Sequence, residues 1–142
     1  MTKFVTHYKG DMLFESKLGG QSLVIDAPPS MGGKNRGPQP SELFVAALAS
    51  CVGANVVDHC TRLGLDTREM TVDLQYNEVD HPTRLANLQV TIHLPRCTCA
   101  GQEQAILHVA EHCLIYETLL GQNGIQIELV DQQRADVLKW LA

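Results

Sequence analysis

The sequence predicts an α+β domain, and three observations carry that expectation. Short alternating segments fill residues 1–27, one alanine-rich apolar run occupies 41–64, and a second alternating pair at 70–95 precedes a return to helical spacing. The resulting order, β-β-β-α-β-β-α-β, lacks the strict alternation of a doubly wound parallel sheet. With 142 residues the chain has the size of a single domain, 1–142, able to bury most of its unfolded surface.

Each element has its own justification. Residues 3–8, 12–18 and 22–27 are β-prone and separated by Lys9-Gly10-Asp11 and Gly19-Gly20-Gln21, which predicts a β-meander. The loop PPSMGGKNRGPQP, 28–40, is too dense in proline and glycine for a helix or strand, and is expected to be functional or connecting. Ser41 is a good N-cap for the central helix, which should stop near Gly64. Its first half is apolar on nearly every side, as in a buried core helix. MTVDLQYNEV and RLANLQVTIHL alternate around the turn Asp80-His81-Pro82-Thr83, giving a hairpin over 70–95 closed by Pro95. Residues 101–120 form the second helix, 125–130 a last strand, and 132–141 a short terminal helix in the segment 101–142.

Composition narrows the function. The formal charge is −5 and no dense lysine or arginine cluster is present, which disfavours nucleic acid or an anionic membrane as a partner. No secretory signal is read at MTKFVTHYKG, and no apolar run is expected to have the length and purity of a membrane span. The default compartment is therefore the cytoplasm. No phosphate-cradling glycine motif follows a strand, so no nucleotide or flavin cofactor is expected.

Five cysteines (Cys51, Cys60, Cys97, Cys99, Cys113) are too few and oddly numbered for a disulfide scaffold. Cys51 and Cys113 lie on apolar helix faces, where a free cysteine is ordinarily core filling. Cys60 has the same reading, and its spacing of nine residues from Cys51 does not place both on one face. Cys97-Thr98-Cys99, with His93 nearby, hints at a metal, but zinc sites space paired cysteines by about two to four residues and need a second ligand pair. His108 and His112, an i, i+4 pair on the outer face of the second helix, do not supply one; no metal is expected.

GPQPSELFVAALASC, ending at Cys51, and EHCLIYETL, containing Cys113, resemble the family of osmotically inducible protein C and the organic hydroperoxide resistance proteins. The resemblance covers essentially the whole chain. It implies an intertwined homodimer in which six-stranded sheets surround central helices and the active sites lie at the subunit interface. It also implies roles: Cys51 as the peroxidatic thiol attacking an organic hydroperoxide, Cys113 as the resolving thiol, and an external dithiol as reductant. In many such relatives a proline follows the second cysteine and starts a new helix, whereas Leu114 follows here.

That chemistry needs a thiolate, and Cys51 is about ten residues inside its helix, beyond the reach of the dipole. A cation must approach. Arg36, in the loop before the helix, is the first candidate and Lys9, in the first turn, the second; arginine is the better partner. In peroxidase relatives an acidic residue directly follows the second proline, but here Ser41 holds that place and Glu42 follows one residue later. Glu42 lies nine residues before Cys51, roughly 13 Å along a straight helix. It therefore acts through a partner subunit or the loop, or simply as a favourable charge at a helix N-terminus. Met31, Phe44 and Leu48 are expected to give the pocket an alkyl- or aryl-binding character. Two other functions share this fold: a non-enzymatic module binding a small apolar ligand, and a redox or electrophile sensor oxidised once without turnover.

Overall fold

The computed structural model describes residues 2–99, 101–122 and 125–127. The expected last strand at 125–130 runs into residues outside that set, and the terminal helix at 132–141 lies wholly outside it.

The meander is present as β1 (Thr6–Gly10), β2 (Leu13–Leu18) and β3 (Gln21–Ile25), an antiparallel sheet in that spatial order. The β2–β3 connection is a two-residue Gly19-Gly20 turn, both with positive φ (55° and 87°), the backbone that matches strand twist in tight hairpins. A short 3-10 turn at Pro29–Met31 begins the glycine-proline loop.

The central helix α1 runs Pro40–Arg62. Its N-cap is Gln39 and not Ser41: Pro40 takes the first helical position, where its missing N–H costs nothing, so the cap falls two residues earlier than expected. Glu42 Oε2 accepts the Gln39 backbone N–H at 2.7 Å, closing the first turn. Contrary to expectation, α1 has the length and hydropathy to cross a membrane, a mean of 1.6 over 18 residues with 28% of that window buried. Alanine and valine in the run raise hydropathy without bulk, and the later hairpin and helices pack on the same helix.

Strands β4 (Thr71–Val79) and β5 (Arg84–His93) form the expected hairpin, with an irregularity between Gln75 and Asn77. On β4 the side chains of Val72 and Leu74 turn inward and, with Ile92 of β5, pack on the core. That core is Leu48, Val52, Val56 and Cys60 of α1 with Ile106, Ala110 and Cys113. No residue of β1–β3 belongs to it or packs against it. The single helix expected at 101–120 is two: α2 (Glu103–Glu111) and α3 (Leu114–Gly121). The break is at Cys113, which is extended (φ −78°, ψ 154°) and caps α3 with its own sulfur.

Candidate active site

Cys51 and Cys113 come together because α1 and the α2–α3 corner share one apolar seam. Cys51 is half-buried at the edge of the core cluster, and Cys113 is completely buried within it. Sγ of Cys113 accepts the Tyr116 N–H at 3.4 Å, so the residue that reaches toward α1 also starts α3. No proline is needed for the new helix; the thiol does the capping. The Cys51 thiol is near enough to that of Cys113 to act on its ionisation. Burial pushes the Cys113 thiol up, the Tyr116 N–H opposes this, and the Cys51 thiol pushes it up again. Burial thus favours the neutral thiol of Cys113.

A cavity of about 210 Å³ lies among Val52, Leu88, Val90, Ile92, Leu107, Ala110, Glu111 and Tyr116; it reaches the chain neighbours of the two cysteines, and neither cysteine lines it. A wider apolar groove of about 550 Å³ passes over Phe44, Leu85, Leu88 and Leu119, with Arg84 at its edge. Of the three apolar residues expected at a pocket, Phe44 lines this groove. Met31 lines a smaller hollow of about 110 Å³ beneath the glycine-proline loop. Leu48 is 3% exposed and belongs to the core, because the same seam that buries Val52 and Val56 buries it too.

The expected cations are both engaged elsewhere. Lys9 Nζ lies 3.2 Å from Glu15 Oε2 on the neighbouring strand. Arg36 is held by Asp26, a residue that the motif reading missed. Asp26 is 2% exposed, and its carboxylate accepts from Arg36 Nε at 2.7 Å and Nη2 at 3.3 Å. It also accepts the backbone N–H groups of Ala27 (2.8 Å), Lys34 (3.2 Å) and Arg36 (3.0 Å). Arg36 Nη2 donates to the Asp11 carbonyl at 2.8 Å. The guanidinium, helped by those N–H groups and opposed by burial, holds the Asp26 carboxyl far below the usual carboxylate range. A Cβ on Gly33 would come within 2.0 Å of the Ala27 carbonyl oxygen and 2.7 Å of Asp26 Oδ1, so only glycine lets the loop close on this carboxylate. The signal in the sequence was an acidic residue ending an apolar strand, VIDAPP, with an arginine ten residues on. Glu42 spends its carboxylate on the cap of α1. Thus Cys51 and Cys113 are brought together, while Arg36, Lys9 and Glu42 each have another partner.

A model of the OsmC-like protein family matches residues 32–130. The chain belongs to that family. Solved structures with the OsmC-like fold align over most of its length at low identity. One, from Psychrobacter arcticus 273-4, is named for an osmotic stress induced and detoxification response (19% identity, 83% of this chain and 88% of that one, TM-score 0.73). Others are named organic hydroperoxide resistance proteins, two of them as follows. That from Legionella pneumophila has 17% identity over 85% of this chain and 91% of its own, TM-score 0.60. That from Elizabethkingia anophelis has 17% identity over 86% and 91%, TM-score 0.60. No curated protein matches the chain. At these identities the likeness of this OsmC-like chain to the solved structures is a likeness of fold.

Proposed function

We propose that this OsmC-like protein reduces organic hydroperoxides with a Cys51–Cys113 thiol couple, working as a homodimer. The observation that carries the proposal is the placing of Cys51 against the core cluster that holds Cys113, near enough to act on its ionisation, with a mostly apolar cavity next to their neighbours Val52 and Tyr116. Two relatives of the same fold bear names for hydroperoxide resistance, which supports the substrate class.

In the proposed cycle the Cys51 thiolate attacks the outer peroxide oxygen. The O–O bond breaks, the alcohol leaves with a proton, and Cys51 becomes a sulfenic acid. The Cys113 thiol attacks that sulfur, water leaves, and a disulfide forms. An external dithiol restores both thiols by two exchanges. The fixed guanidinium of Arg36 is the cation best suited to favour a thiolate, and Asp26 is the carboxylate that aims it. Since β1–β3 and the Arg36 loop contribute nothing to the core around Cys51 of their own chain, a partner subunit is the natural source of that charge. Exposed apolar side chains on the first sheet and beyond, including Tyr8, Val24, Leu88 and Leu120, give a dimer its contact surface.

The engagement of Arg36 and Lys9 by carboxylates favours one second reading: a sensor whose Cys51 is oxidised once, with no catalytic consumption. Consumption of an organic hydroperoxide with a dithiol, wild type beside Cys51→Ser, decides between them. Turnover lost in the variant supports the peroxidase. Stoichiometric oxidation without turnover supports the sensor, and fully reduced thiols after exposure would remove both.

A further inference from the structure

A second pair of thiols sits at the other end of α1. After β5 the chain continues through Leu94-Pro95-Arg96 into irregular backbone carrying Cys97 and Cys99. Both are half-buried while Thr98 between them is exposed, so both side chains face the protein. Two residues of chain span at most about 7 Å, close to the range of Cα separations a disulfide accepts. The Cys97 thiol is near enough to that of Cys99 to act on its ionisation. Cys99 packs on the core cluster that contains the fully buried Cys60. A cavity of about 290 Å³ opens beside it, lined by Ile92, Leu94, Cys99, Glu103, Ile106 and Leu107.

Among the described residues no group of three histidine, cysteine or acidic side chains comes together to hold a metal ion. The Cys97–Cys99 cluster is separate from the Cys51–Cys113 couple. Cys60, at its base, is nine residues farther along α1 than Cys51, roughly 13 Å.

We propose that Cys97 and Cys99 form a second redox-active dithiol that exchanges with small-molecule disulfides. Cys97 gives up its proton to water and its thiolate attacks one sulfur of the disulfide, whose S–S bond breaks and releases one thiolate, which takes a proton back from water. Cys99 then attacks the Cys97 sulfur of the mixed disulfide and releases the second thiolate, which takes up the Cys99 proton. The protein loses two electrons and two protons, and the small disulfide becomes two thiols. Burial, then Cys97 and Glu103, hold the Cys99 thiol above its ordinary value, which assigns the first attack to Cys97. Burial likewise pushes the Cys60 thiol up and keeps it a protonated bystander.

The test uses the full chain carrying Cys51→Ser and Cys113→Ser, so its result does not depend on the peroxidase reading. Reduced protein is incubated with oxidised glutathione, unfolded, alkylated and weighed by mass spectrometry. The expected result is loss of two alkylatable thiols with no glutathione attached, leaving Cys60 alkylated. Adding Cys99→Ser should trap glutathione on Cys97. A stable glutathione adduct on Cys97 in the parent, a bridge that includes Cys60, or no exchange while a free-cysteine peptide reacts would each overturn the proposal. Wild-type protein cleaved at Glu103, which separates Cys97 and Cys99 from Cys113, gives the same readout free of any folding defect in the variants.

Discussion

The glycine-proline loop and the thiol seam are built on opposite principles. At the loop a buried carboxylate is satisfied by five hydrogen bonds drawn from Ala27, Lys34 and Arg36, and a charge is fixed in place. At the seam two thiols rest among aliphatic side chains, with the Tyr116 N–H as the polar group on Cys113. The first region stores a cation without a nucleophile; the second stores nucleophiles without a cation. An unpaired charge in the seam would be costly, and so would the loss of a hydrogen bond to the buried Asp26. The chemistry proposed above needs both, which is the physical reason for expecting a second subunit at the site.

Substitutions should expose this difference. The largest effect is expected in the seam, where volume counts. Leu48→Ala removes a 3%-exposed side chain from the core and should cost about 2–5 kcal/mol in chemical denaturation. At the loop the damage is one of fit. Gly33→Ala drives a Cβ onto the Ala27 carbonyl and should cost about 1–3 kcal/mol. If Gly33→Ala proved the more damaging, the loop and not the seam would dominate stability.

A pH titration sharpens the contrast further. The Asp26 carboxyl is depressed in the folded state, so between its folded value and the ordinary 3.8 the unfolded chain binds more protons. Stability from this group is therefore fully present well above pH 3.8 and is lost as pH falls below it. Asp26→Asn should flatten that acid limb and lower stability at neutral pH, where wild type gains most from the charge. An unchanged acid limb in Asp26→Asn would mean that the carboxylate is not the depressed group.

Much of this was legible in the sequence. Periodicity gave the meander, the long helix and the hairpin, because each element buries or alternates its own residues. Two things were not legible, for one reason. The break at Cys113 comes from a sulfur accepting a backbone N–H three residues on, in a run whose spacing continues as a helix, and no proline or glycine marks it. The grip of Asp26 on Arg36 joins residues ten apart through a loop whose closure depends on Gly33. Both are three-dimensional fits between residue types that are individually unremarkable. The cysteines themselves were visible, but their proximity was not, because helical spacing cannot say which helix faces which.

The smallest effect separates the structural role of Cys113 from its chemical one. Its sulfur caps α3, and a serine hydroxyl is a better acceptor at that position. Cys113→Ser should therefore be more stable than Cys113→Ala by about 0.5–2 kcal/mol, the usual worth of such a cap. Neither variant can form the Cys51 disulfide. On exposure to hydroperoxide both should accumulate Cys51 sulfenic acid, detectable by a dimedone-type trap, although their stabilities differ. If the trap instead tracked stability, labelling only the less stable Cys113→Ala, then Cys113 would be a capping residue that happens to carry sulfur, and Cys51 would react simply through loosened packing.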